Sequence, residues 1–192
     1  EKRGNFSEAE KYFKVVYEKE PACFEARYHL ASVELALGKN ESASAITTGL
    51  LDTGNIDALK INARAAFAQN QYDKAEEYVA RVLQQTPNDL EFLLFRAKIL
   101  IAKNDYIHAV SLLDMYSRQN DTNIEYLLLR AKVQLDWSKN TTLATATIEK
   151  ALSLYPENKD ALLMAARIAS ATDSPVAGKY ADELVSRILE TD

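Results

Sequence analysis

Asn70-Gln71-Tyr72-Asp73-Lys74-Ala75 and Asn104-Asp105-Tyr106-Ile107-His108-Ala109 follow one pattern, 34 residues apart. Each opens on an asparagine, takes a polar step, places an aromatic ring, and three residues later sets an alanine. Gly38-Lys39-Asn40-Glu41-Ser42-Ala43 and Gly4-Asn5-Phe6-Ser7-Glu8-Ala9 are looser versions, 32 and 34 residues upstream of the next copy. A second punctuation falls at Pro21, Asn55, Pro87, Asp121 and Pro156, spaced 34, 32, 34 and 35. A fixed period of this size is the mark of a repeat architecture.

Both signals have a chemical cause. Glycine and asparagine tolerate the left-handed conformation with which a helix commonly ends. A proline removes a donor and clashes with the preceding turn, so it stops the helix before it. Asn88-Asp89 and Glu157-Asn158 supply capping and acidic groups to the helices that follow. Between breakers the apolar residues keep helical spacing, as in Leu93, Ala97, Leu100 and Ile101, or Leu127, Ala131 and Leu135. With 5 glycines, 4 prolines and no sustained alternation of period two, the chain reads as all-α.

Two rows of alanine run in phase with the breakers. Ala31, Ala63, Ala97, Ala131 and Ala166 form one; Ala9, Ala43, Ala75, Ala109 and Ala144 form the other. Aromatic Phe6, Tyr72 and Tyr106 precede the second row, and bulky Phe13, Val79, Leu113 and Ile148 follow it. This arrangement resembles the tetratricopeptide repeat family over nearly the whole chain. The resemblance implies a right-handed α-α superhelical solenoid of antiparallel helix pairs, each an A helix and a B helix. The alanines would let paired helices approach near the short end of the ordinary 8–10 Å range. On this alignment residues 5–21 are the B helix of a truncated repeat, 22–55, 56–87, 88–121 and 122–156 are full repeats, and 157–192 is a degenerate hairpin. The chain begins in mid-repeat, so it reads as a piece of a longer protein.

Several positions depart from the pattern. Arg27 stands where leucines occur in later repeats, and Thr47 stands where a bulky apolar residue is expected. Gly49 and Gly54 predict a frayed helix in that repeat. Trp137 is positioned to replace the aromatic missing from the next turn. Ser174-Pro175 predicts a helix start with proline in its first turn.

Composition narrows the function classes. The net charge of −5 and pI of about 5.2 oppose a polyanion, so no nucleic-acid partner is expected. No stretch of about 18 apolar residues appears, so no direct membrane insertion is expected. Cys23 is the single cysteine, and no base stands near it in sequence. His29 and His108 lie in different repeats without ligand-spaced partners. No phosphate-binding glycine loop occurs. The reading is therefore not an enzyme, with no cofactor and no metal. Asn5, Asn40, Asn120 and Asn140 open Asn-x-Ser/Thr triplets at loop–helix junctions, where capping is the expected role. Cytoplasm is the default compartment; a bacterial periplasmic or lipid-anchored location is the alternative.

In the family, one face of the A helices lines a concave groove. Carried over residue by residue, that face holds an acidic row, Glu25, Asp57, Glu91, Glu125 and Asp160, and a basic row, Ser32, Arg64, Lys98, Lys132 and Arg167. Between and beside them lie Tyr28, Lys60, Leu94, Leu128 and Leu163, then Leu35, Phe67, Ile101, Leu135 and Ser170. First-turn carboxylates suit the helix dipole without any ligand. The basic row lies mid-helix, where the dipole gives no preference; its alternative explanation is a solvated face of good helix formers paired with acids on the next helix, whereas leucines left open beside it would mark a contact surface. Tyr28, Lys60, Arg64, Phe67, Leu94, Lys98, Ile101, Leu128, Lys132, Leu135, Leu163 and Arg167 are the expected partner-binding residues. The partner is a protein or peptide, extended or helical, with acidic and apolar side chains. The lysine–asparagine clamp with which some family members read chaperone tails is absent. Self-association through helix-stack ends or the convex face is the alternative function.

Overall fold

The computed structural model describes residues 2–190, with side chains from residue 5 onward. Eleven α-helices are found among these residues, and they fall into two compact units that meet at Ile99 and Leu100, inside α6.

The first unit contains α1 (Lys2–Lys19), α2 (Phe24–Ala36), α3 (Asn40–Thr48), α4 (Ile56–Ala68), α5 (Tyr72–Gln85) and the start of α6 (Leu90–Ala102). Consecutive helices pack in antiparallel pairs, and α2 also lies beside α4. The turns follow the chemistry of their residues. Gly38 and Asn70 adopt φ of +78° and +59°, where glycine and asparagine carry the smallest steric cost. Asn55 and Asp89 accept from the backbone N–H of Ala58 and Phe92 at 2.9 and 3.1 Å, capping α4 and α6. Ala31, Ala43, Ala63, Ala75 and Ala97 are all fully buried; Leu59, Val79, Val82, Phe92 and Ile99 close around Ala63 and Ala75, and Ile61 packs with Ala31 and Ala43. The first expected breaker does not break: Gly4 and Asn5 lie within α1.

One buried polar cluster stands in this unit. Asn62 of α4 is 1% exposed. Its Nδ2 donates to Thr47 Oγ1 and to the Ala58 carbonyl, both at 2.8 Å, and its Oδ1 accepts from Ser44 Oγ at 2.5 Å. Thr47 is thus matched by a polar partner across the helix pair, which explains its place in an apolar slot. Helix α3 ends at Thr48, so its cover over α4 is brief.

The second unit contains the end of α6, then α7 (Tyr106–Ser117), α8 (Ile124–Asp136), α9 (Thr141–Leu154), α10 (Lys159–Thr172) and α11 (Ala181–Glu190). Asp105, Asn123, Asn140 and Asn158 cap α7 to α10 by accepting backbone N–H groups at 2.9–3.3 Å. Ala109, Ala131, Ala144 and Ala166 are buried, together with Leu113, Ile148 and Leu162. Trp137 stacks on Tyr106 with centroids 6.2 Å apart and planes 10° from parallel. It therefore extends the aromatic of the preceding turn.

Two local expectations are corrected here. Of the four Asn-x-Ser/Thr asparagines only Asn140 caps a helix. Asn5 is inside α1, Lys39 holds the cap position before Asn40, and Asn120 accepts from Thr122 Oγ1 at 3.3 Å. Ser174-Pro175 does not start a helix either. Val176 and Lys179 pair backbone to backbone at 2.9 and 3.1 Å, and Ala177 and Gly178 take φ of +51° and +74°. Positive φ at both central residues is the signature of a tight hairpin turn. It seats Val176 in the interior, and α11 starts only at Ala181.

Candidate interaction face on the A helices

In the first unit α4 presents Lys60, Arg64 and Phe67 on one stripe, since residues three and four apart share a helix face. Helix α6 answers with Asp89, Glu91, Phe92, Phe95 and Lys98. Lys60 Nζ lies 2.7 Å from Asp89 Oδ2. Arg64 donates from Nη2 to Glu91 Oε1. Both cations also stand over the Phe92 ring, at 5.0 and 5.2 Å from its centroid. Lys98 Nζ lies 5.8 Å from the Phe67 centroid, and Phe67 meets Phe95 edge-on at 5.4 Å. Tyr28 is half-buried on α2, stacked on Phe24 and edge-on to His29. Leu94 is 2% exposed and belongs to the core.

In the second unit Asp136 collects two cations of the face. Lys132 Nζ is 2.9 Å from its Oδ2 and the Arg167 guanidinium 2.6 Å from its Oδ1. Burial pushes the Asp136 carboxyl up, but the hydrogen bonds and charges of Lys132 and Arg167 outweigh it and hold it below 3.8. Asp89 follows the same pattern through Lys60 and the Phe92 N–H. Leu128 and Leu135 are half-buried. Leu163 is 60% exposed, one helical turn from the exposed Arg167. Ile101 is 4% exposed and, like Leu94, is a core residue.

The expected face thus changes in two ways. Leu94 and Ile101 are withdrawn from it, because the apolar stripe of α6 is wide enough that both point inward. The acidic and basic rows are partly each other's partners. Arg64 of one A helix holds Glu91 in the first turn of the next. Sequence reading missed Asp89, Phe92 and Asp136. Asp89 was legible as a cap, but its second role as the partner of Lys60 depends on the distance between α4 and α6.

Other groups singled out from the sequence have structural surroundings. His29 stacks on Phe13 at 5.0 Å, and His108 Nδ1 lies 2.8 Å from an Asp105 carboxylate oxygen. Cys23 Sγ points at Glu25 Oε2 at 3.6 Å. Among the described residues no helix is long and apolar enough to cross a membrane. On the side of α4 opposite Lys60 and Arg64, a polar cavity of about 290 Å³ opens between α3, α4 and α5, lined by Ser44, Asn62, Gln69, Gln71, Lys74 and Tyr78 among others.

The comparisons agree with this architecture. A sequence profile described as tetratricopeptide repeat matches residues 2–58, 50–99 and 66–133. No curated protein sequence matches significantly. Among solved structures, a tetratricopeptide repeat protein from Parabacteroides merdae superposes with a TM-score of 0.72 at 20% identity, covering 98% of this chain and 73% of that one. TTC0263, a thermophilic TPR protein of Thermus thermophilus, gives 0.70 at 21% identity over 88% of this chain and 91% of its own. YrrB, described as a TPR protein with an unusual peptide-binding site, gives 0.60 at 13% identity over 93% and 91%. The fold is that of these helical-repeat solenoids, and the chain belongs to the tetratricopeptide repeat family.

Proposed function

We propose that the A-helix faces bind a peptide segment of a partner protein, so that the chain serves as an interaction scaffold within a larger assembly. The observation that carries this reading is the mixed chemistry of the face in each unit. Arg64 and Lys98 stand beside the half-buried Phe67 in the first, and Arg167 stands one turn from the exposed Leu163 in the second. Cations over aromatic rings next to apolar surface suit a ligand with acidic and apolar side chains. Peptide binding is also the use described for YrrB. An extended chain advances about 3.3 Å per residue, and neighbouring A helices of one unit stand on the order of 10 Å apart, so one repeat matches roughly three ligand residues.

The test is selection of random dodecapeptides displayed on phage, followed by affinity measurement at low salt. Enriched peptides should be acidic and apolar, and Lys98→Glu and Arg167→Glu should each weaken them. Failure to enrich any sequence, or affinities unmoved by either change, would refute the reading.

Self-association is a second reading, favoured by exposed Val185 and Leu189 on α11 and exposed Tyr12 and Val15 on α1. It predicts sedimentation that grows with concentration and is abolished by Leu189→Lys.

A further inference from the structure

The two ion pairs that join α4 to α6 are built differently. Asp89 is mostly buried, accepts the Phe92 N–H, and is held by Lys60. It cannot leave without uncapping α6. Glu91 is bonded through its side chain to Arg64, with side-chain exposures of 63% and 41% for the two partners. An exposed pair of this kind contributes little to stability, so its carboxylate is exchangeable. Arg64 is positioned independently of it, because its guanidinium rests 5.2 Å over the Phe92 ring. Beside it, Phe67 offers apolar surface.

We propose that Arg64 is the receptor for an acidic side chain of the bound peptide, and that Glu91 occupies that place in the free protein. The inference rests on the peptide-binding reading and deepens it. The occupant is a side-chain carboxylate rather than a chain terminus, because the stand-in is itself a side-chain carboxylate offered from the first turn of a helix. The guanidinium takes either carboxylate by the same charge-assisted hydrogen bond. The apolar neighbour of the displaced acid would rest on Phe67. Glu91 thereby sets a threshold: a peptide must outcompete an intramolecular acid, which screens out weakly acidic sequences.

The experiment uses two synthetic dodecapeptides, one repeating Leu-Glu-Ala and one repeating Leu-Gln-Ala, measured by fluorescence anisotropy at about 50 mM salt. Glu91→Gln should bind the acidic peptide about two- to fivefold more tightly than the parent, the factor carried by an exposed ion pair. The neutral peptide should show no gain. Arg64→Gln should weaken the acidic peptide, and adding Glu91→Gln to it should restore nothing. Glu77→Gln removes the same charge from an exposed position of α5, away from the A-helix face, and should leave affinity unchanged. An equal gain from Glu77→Gln would mean net charge alone, and no gain from Glu91→Gln would mean that Glu91 does not compete; either overturns the proposal while peptide binding stands. Binding of neither peptide by any variant, together with failed phage selection, would overturn both. Circular dichroism checks that each variant keeps its helices, as exposed changes should.

Discussion

The buried pair Thr47 and Asn62 gives the sharpest energetic test of how this chain tolerates a polar residue in a core slot. Thr47→Val keeps the shape but removes the acceptor that Asn62 Nδ2 uses at 2.8 Å. Asn62 then has one buried donor hydrogen without a partner, because its other bond goes to the Ala58 carbonyl. Leaving such a group unsatisfied costs about 1–3 kcal/mol. Replacing the hydroxyl by a methyl returns part of this, on the order of 0.8 kcal/mol. The net cost of Thr47→Val should be roughly 0.2–2 kcal/mol. In an Asn62→Ala background the stranded donor is gone. Thr47 Oγ1 still donates to the Ala43 carbonyl at 3.1 Å in that background, so the threonine itself is satisfied. There Thr47→Val should be neutral or mildly stabilising, giving an interaction energy of about 1–2 kcal/mol between the two sites. Urea titration followed by far-ultraviolet circular dichroism measures all four proteins. The same difference should appear as roughly 2–4 °C in Tm per kcal/mol for a chain of this size. Equal costs for Thr47→Val in both backgrounds, within about 0.5 kcal/mol, would show that the cluster carries no specific energy and that Thr47 is merely tolerated.

Two further outcomes follow from the packing and the charges. Ala97→Leu and Ala131→Leu insert bulk at fully buried seams and should each cost roughly 1–3 kcal/mol, whereas Ala80→Leu on the exposed side of α5 should stay within about 0.5 kcal/mol; equal effects at all three sites would break the alanine-seam argument. Asp136 has a folded carboxyl pKa below its ordinary 3.8, so the stability it contributes is present above that value and is lost as pH falls through the lower folded one. Asp136→Asn should therefore lower Tm at neutral pH, and the gap to the parent should close as pH falls below the ordinary carboxylate value of 3.8; a constant gap would exclude the paired-carboxylate account.

The repeat was legible because its punctuation is local chemistry. Gly38, Asn70 and Asn104 adopt the left-handed conformation that their residue types favour, and the alanine rows are buried as their phase demands, except Ala9 on α1, which is half-buried. Where the sequence misled, another residue did the same work without the expected signal. Lys139 takes φ of +54° and Asp173 of +50° at the ends of α8 and α10, although neither is glycine or asparagine. The hairpin at Val176–Lys179 likewise turns through Ala177, a residue that carries no turn signature. Gly4 failed in the opposite sense. A glycine costs a helix roughly 1 kcal/mol but does not end it, and α1 runs through.

The candidate face was only half legible, and the reason lies in what a helical period can encode. Periodicity assigns a residue to a stripe, but it does not say how far the neighbouring helix reaches across that stripe. Leu94 and Leu163 hold corresponding places on α6 and α10, yet one is 2% exposed and the other 60%. That difference is set by the surrounding helices, not by either residue's own neighbours in the chain. The same applies to charge. A row of acids and a row of bases look like two features of a groove until the distances between helices are known. Arg64 and Glu91 then prove to be partners, and so do Lys132, Arg167 and Asp136. The pairing does not remove the face from consideration as a binding surface; it changes what a ligand must do there. A peptide acid arriving at a bare cation gains the full attraction, whereas one arriving at Arg64 gains only its advantage over Glu91. Under the proposed peptide binding, selectivity at this face becomes a difference between two carboxylates on one guanidinium, and reading it requires both the A helix that supplies the arginine and the next one that supplies the competitor.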